Sequence, residues 1–216
     1  MSSRQRTGRV VAGITGASGV SLAVHFLRAA ASHQEIERIH LIVSQNGLRV
    51  AASELDPPAG HPSSIVDHAR LTAADASKIE IHPDSDIGAT IASGSYPTDG
   101  MVIVPCSSGT LGSIAHGISR GLIQRAADLT LKERRPLILA LRETPLSLIH
   151  AENIAAVTRA GAIVAPPIPA FYIGETWQEY LDHFALRLLD LLGYVTDRPE
   201  LRWDGGKKPV RAGTSD

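Results

Sequence analysis

The stretch 136-PLILALRETPLS-147 decides the fold. Its five consecutive aliphatic residues, Leu137 to Leu141, show no polar alternation, as expected of a central parallel strand buried on both faces. The run stops abruptly at Arg142-Glu143-Thr144-Pro145. Charged residues at the carboxyl end of such a strand stand where open α/β sheets bind their ligands. Taken alone, the pair reads equally well as a strand-end ion pair facing water, so the surrounding segments have to decide.

Outward from this strand, short β-rich runs alternate with helical patterns. The strand expectations are Arg9 to Ile14, Arg38 to Ser44, Lys78 to His82, Met101 to Pro105, Leu137 to Leu141 and Ala162 to Ala165. Helices are expected over Gly19 to Ser32, Gly47 to Leu55, Ser64 to Ala74, Gly109 to Ser119, Leu122 to Glu133, Ser147 to Ala160 and Trp177 to Leu192. That alternation specifies βαβ units with right-handed crossovers. The fold class is therefore α/β: a doubly wound, mostly parallel sheet of about six strands, Rossmann- or flavodoxin-like, with helices on both faces. The last helix is the most periodic, with Trp177, Tyr180, Leu181, Phe184, Leu188, Leu191 and Leu192 on one stripe and Arg187 at its edge.

The 216 residues read as one domain, residues 1–216, with loose tails at 1–7 and 204–216. A formal net charge of −1 gives no global field for nucleic acid or anionic membrane. No apolar run reaches the length of a membrane span, and a cytoplasmic location is expected. The single cysteine, Cys106, excludes an internal disulfide and reads as a small buried hydrophobe. Nine histidines show no tight metal-ligand spacing along the sequence, so no metal is expected.

Two loops carry chemistry. The first strand runs into Gly13-Ile-Thr-Gly16-Ala17-Ser18-Gly19 and then a helix, a pattern that suits a phosphate or dinucleotide. The competing reading is a tight turn with Ser18 as the helix cap. The second strand ends in Ser44-Gln45-Asn46, not in the carboxylate that holds a dinucleotide's ribose. No Tyr-x-x-x-Lys pair exists either, so FMN suits the chain better than NAD. The fourth strand leads into Cys106-Ser107-Ser108-Gly109-Thr110, a second glycine- and hydroxyl-rich helix start at the same edge. On the helix beyond it, Arg125, Asp128 and Lys132 share one face, which alone reads as a solvated ion-pair ladder. Ser147 reads as the cap of its helix, with His150 one turn on.

Together these segments resemble the UbiX-type flavin prenyltransferase family. The matching pieces are GITGASG (13–19), IASGS (91–95), TDGMVIVPCSSGTL (98–111), RAADLTLKERRPLILALRETPLSLIHAEN (125–153) and PPIPAFY (166–172). The resemblance spans most of residues 8 to 192. It implies transfer of a dimethylallyl group from dimethylallyl phosphate to N5 and C6 of reduced FMN, without a metal. The product is prenylated FMN, destined for a UbiD-type decarboxylase. It also implies a homo-oligomer, a dodecamer built from trimers whose contacts complete each site.

Residue by residue, Gly16, Ala17 and Ser18 match the first flavin loop, Ser44 the second strand's serine, and Ser107, Ser108, Gly109 and Thr110 the second loop. Arg125 matches a flavin-contacting arginine. Lys132, Arg142, Tyr172 and Arg187 match the set that binds dimethylallyl phosphate, with Glu54 near a further acidic position. Catalytic roles fall to Arg142, to Glu143 as a proton carrier, and to Ser18, positioning the flavin or relaying a proton. The chain departs from the family at Leu141, where many members carry Pro, and over Ile87-Gly88-Ala89-Thr90, where some carry an aromatic.

An FMN-dependent cysteine decarboxylase of the same fold is the nearest rival, but its PASANT-type motif is missing here. A non-catalytic flavin carrier would have no use for the anion-binding set, and an NAD(P)-dependent reductase comes last.

Overall fold

The computed structural model describes residues 5–171, 176–196 and 198. Six strands form one all-parallel sheet: β1 (Arg9–Ile14), β2 (Arg38–Val43), β3 (Ile79–Pro83), β4 (Gly100–Cys106), β5 (Leu137–Leu141) and β6 (Ile163–Val164). Their spatial order is β3-β2-β1-β4-β5-β6, so the chain reverses its winding direction between β1 and β4. That switch point opens a crevice at the carboxyl ends of the two strands. β4 and β5 are buried along their whole length, as the unbroken aliphatic run at 137–141 requires.

Among the described residues eight α-helices cover the sheet: α1 (Val20–Ala31), α2 (Gln45–Glu54), α3 (Pro62–His68), α4 (Ala73–Ala76), α5 (Ser108–Ala115), α6 (Leu122–Lys132), α7 (Leu148–Arg159) and α8 (Trp177–Leu192). One core layer packs Phe26 and Leu27 of α1 with Leu181, Phe184 and Leu188 of α8. The other sets Leu111, Ile123, Ala127 and Val157 of α5, α6 and α7 against the opposite face. Trp177 departs from its stripe: it is exposed at the first turn of α8.

The expected helix over Ser64 to Ala74 is two short ones. Pro62 starts α3 earlier, and the chain turns at Arg70, where φ is +50°, before α4 begins. The expected helix to Ser119 ends at Ala115. Gly117 at φ +66° lets the Ile118 N–H reach the Ser113 carbonyl at 2.8 Å, closing a Schellman turn. Of the expected tails, only residues 5–7 are described. They are tied down: Arg6 pairs with Glu35 and donates to the Gly193 carbonyl, and the Thr7 N–H donates to Asp99 at 2.8 Å. Among the described residues no helix is long and apolar enough to cross a membrane.

Candidate active site

Three loops meet at the carboxyl edge of β1, β4 and β5, and a residue the sequence reading passed over joins two of them. Thr15 is buried; its hydroxyl donates to the Pro105 carbonyl and accepts from the Ser107 N–H, both at 2.8 Å. A threonine among the glycines of this loop carries no separate signal in the sequence. The third loop is fastened by the Arg142 N–H, which donates to the Cys106 carbonyl at 3.0 Å. Gly16 is required for close approach: a β-carbon there would lie 2.6 Å from that of Asn46 at the start of α2.

The start of α1 differs from expectation. Its cap is Gly19, at φ 106°, and no side chain within the loop caps it. Instead Glu54, from the last turn of α2, accepts from the Gly19 N–H at 2.9 Å and the Val20 N–H at 2.9 Å. A carboxylate suits the positive end of a helix, and it takes the place a phosphate was expected to occupy. Ser18 is therefore not the cap. It is exposed, and its hydroxyl has no partner among the described residues. Glu54, expected near the phosphate donor, is committed to α1.

The other two helix starts remain available. Ser44 caps α2, accepting from Gly47 N–H at 3.0 Å, and Ser107 caps α5, accepting from Thr110 N–H at 3.3 Å and donating to Thr110 Oγ1 at 3.1 Å. In each helix the first two amides lie ahead of any intrahelical acceptor. Gly109 is exposed with open space where a β-carbon would stand. The hydroxyls and first-turn amides at these two helix starts are of a kind that suits the phosphate and polar groups of a flavin mononucleotide. Cys106 is fully buried, and burial pushes its thiol up to about 12, which removes it as a nucleophile.

Arg142 and Glu143 do not pair with each other in the manner of a simple strand-end ion pair. The Ser108 hydroxyl donates to the Glu143 carboxylate, and the Thr144 N–H donates to it at 3.1 Å. These bonds, Ser108 first, hold the carboxyl below the usual carboxylate range, so it is ionised at neutral pH. Arg142 is left exposed at the edge. The chain then enters α7 through a capping box in which Ser147 accepts from the His150 N–H and His150 accepts from the Ser147 N–H.

The expected phosphate-binding set is not gathered in one place. Arg125 lies in the first turns of α6, whose leading amides are held at the carboxyl edge by Asp84, just past β3. Lys132 lies seven residues on, about 10 Å further along the axis and close to Gly94 and the start of β5. The ladder is broken too: Arg125 pairs with Asp128 at 3.5 Å, while Lys132 pairs with Glu133 at 3.5 Å. Arg187 is about 15 Å along α8 from Trp177, toward the amino edge, and pairs with Asp190 at 3.8 Å. Tyr172 lies outside the described residues.

The strands also assemble a group that sequence spacing hid. His40 on β2 and Glu80 and His82 on β3 place one potential ligand atom each within 4.8 Å of one another. His40 and His82 are far apart in sequence, so only the β2–β3 register shows the cluster.

Comparison with known proteins matches this architecture to a family. The family model described as Flavoprotein matches residues 1–181. The flavin prenyltransferase LpdB of Lactiplantibacillus plantarum is 41% identical over 199 residues, covering 91% of this chain and 98% of that protein. The flavin prenyltransferase UbiX of Neisseria meningitidis is 40% identical over 199 residues, covering 91% and 97%. Among solved structures, AnUbiX (PadA1) in complex with FMN and dimethylallyl pyrophosphate superposes with a TM-score of 0.77 at 39% identity, covering 94% of this chain and 99% of that one. A dodecameric FMN-dependent UbiX-like decarboxylase from Escherichia coli O157:H7 gives 0.77 at 37% identity, covering 91% and 99%. The cysteine decarboxylase TvaF, at 17% identity and 0.53, shares the fold alone. With two glycine- and hydroxyl-rich loops meeting at the sheet's switch point and relatives of this likeness over nearly its whole length, the chain belongs to the flavoprotein family, in its UbiX-type flavin prenyltransferase branch.

Proposed function

We propose that the chain transfers a dimethylallyl group from dimethylallyl phosphate to N5 and C6 of reduced FMN, and hands the prenylated product to a UbiD-type decarboxylase in the cytoplasm. The observation that carries the reading is the division of labour at the carboxyl edge: an exposed arginine and an ionised glutamate, adjacent in sequence, beside two open helix starts. Reduced FMN supplies the nucleophilic positions.

The protein's part is to break the carbon–oxygen bond of the donor as N5 is alkylated, and then to move protons: N5 and C6 each give one up, and the prenyl double bond takes one up as its far carbon bonds to C6. Charge that develops on the departing phosphate oxygens is stabilised by cations already in position, and Arg142 stands at that edge. Lys132, Arg187 and Tyr172 complete the anion pocket, and no metal is needed. Since one chain sets Lys132 and Arg187 toward the amino edge, their place in the pocket belongs to neighbouring copies in a trimer-built dodecamer. Leu146, Leu148, Ile149, Ile168 and Phe171 are exposed on either side of this corner, an apolar surface of the kind that marks contacts between proteins. FMN lies against Gly16, Ala17, Ser18, Ser44, Arg125 and the 107–110 loop, with the free Ser18 hydroxyl positioning it. Glu143, kept ionised by Ser108, takes the proton lost when C6 is substituted.

Anaerobic incubation with reduced FMN and dimethylallyl phosphate, followed by mass and absorbance, tests the reading. A flavin heavier by one prenyl group supports it; unchanged flavin with both the monophosphate and the diphosphate overturns it. Glu143→Gln is expected to slow formation of the adduct after normal FMN binding, and an unchanged rate removes the proton role.

A further inference from the structure

We propose that His40, Glu80 and His82 form a binding site for one divalent transition-metal ion of the zinc type, separate from the flavin edge and acting as a staple on the edge strand of the sheet. The register pairs His40 with Glu80 and Ile42 with His82, so alternation sends all three side chains to one face. His40 Nδ1 and His82 Nε2 are 3.0 Å apart, and the Glu80 carboxylate reaches them at 3.6 and 3.5 Å. Ligand atoms about 2.0–2.2 Å from a tetrahedral ion stand about 3.3–3.6 Å from one another, the spacing of Glu80 from both imidazoles; the two imidazole nitrogens need to part by a few tenths of an ångström. Two imidazoles and a carboxylate favour zinc, cobalt or copper over magnesium or calcium, which take oxygen ligands.

The surroundings also have the form such a site needs. His40 and His82 are 1% and 8% exposed, which limits competition from water, while the Glu80 side chain is open to solvent and gives the ion a way in. The second nitrogen of His40, Nε2, is 3.0 Å from the Tyr96 hydroxyl. With its N–H donating to that oxygen, Nδ1 turns its lone pair toward Glu80 and His82. The Arg9 guanidinium over the Tyr96 ring, 5.3 Å from its centroid, braces the phenol. Tyr96 is a positioning residue in this arrangement.

The location sets the role. His40 is four residues before Ser44 on β2, about 13 Å from the flavin edge. β3 is an edge strand paired only with β2, and Asp84 just beyond it holds the first amides of α6. An ion bridging β2 and β3 fixes that edge and, through Tyr96, the segment crossing back to β4. The bond-breaking step does not pass through it.

The test uses the full chain, stripped with chelator and titrated with Co2+, then with Zn2+ in competition. One Co2+ per chain with the intense visible bands of a tetrahedral site, displaced by Zn2+, is expected. Glu80→Gln and His82→Gln abolish the bands, and Tyr96→Phe weakens binding about tenfold. Zn2+ raises the melting temperature of the parent protein and not of Glu80→Gln, whose FMN binding stays unchanged because Glu80 is exposed and remote from the flavin. Absent bands, or bands that persist in Glu80→Gln and His82→Gln, overturn the proposal. Neither result bears on prenyl transfer, which is read separately.

Discussion

The two edges of the same sheet are built on different principles. At the carboxyl edge, Thr15, Ser107 and the Arg142 backbone lock three loops to one another through hydrogen bonds, so one chain fixes the geometry by itself. Toward the amino edge, Lys132 and Arg187 are exposed, each paired only with an acidic neighbour on its own helix or at its end. Such surface pairs contribute little to stability. The contrast teaches that the proposed flavin half of the site is organised within one folded chain, whereas the proposed anion half asks for a second copy.

Substitutions can break or sharpen that contrast. Arg142→Ala is expected to have the largest effect, lowering the transfer rate on the order of a hundred- to a thousandfold while flavin titration still shows FMN bound. Loss of FMN binding instead would mean that Arg142 belongs to the flavin half. Thr15→Val strips a partner from both the Pro105 carbonyl and the Ser107 N–H in a buried setting, a cost of about 1–3 kcal/mol in denaturant unfolding. FMN affinity should fall with it, because the two loops are then joined only by the residue 15 backbone N–H, which donates to the Pro105 carbonyl at 3.2 Å.

Ser108→Ala acts on charge and leaves the backbone alone. The Ser108 bond lowers the Glu143 pKa, so the carboxylate is available above that value and is lost as pH falls through it. Without the bond the acidic limb of the pH–rate profile moves to higher pH. A profile that does not move would detach Glu143 from the rate. Glu54→Gln has the smallest expected effect, about 0.3–1 kcal/mol of stability from the start of α1, with transfer near the parent rate. A large loss of transfer would return Glu54 to the donor pocket.

Much of the sheet was legible because its signal is local. The apolar run of β5 and the stripe of α8 state their own burial, and both were bounded correctly from spacing alone. The Ser147 cap was legible for the same reason: a serine followed by a helical pattern after Pro145. The divided helix at residues 62–76 was not, since its break rests on one residue at positive φ that composition does not mark. Contacts across long sequence gaps were equally silent. Glu54 on the α1 amides and His40 beside His82 exist only because β1, β2 and β3 lie side by side. The set expected to bind one phosphate could be named as residues but not as a place, because sequence pattern does not say where Lys132 and Arg187 stand relative to Arg142.

The most direct test of that last point is a mixture of subunits. Arg142→Ala and Lys132→Ala chains, each inactive on its own, are dissociated, combined in equal amounts and reassembled, and prenylated FMN is then measured. If the anion pocket takes Arg142 from one copy and Lys132 from another, random assembly restores about a quarter of the parent activity. Activity no higher than that of the separate variants would contradict the account and confine both residues to a single chain's site.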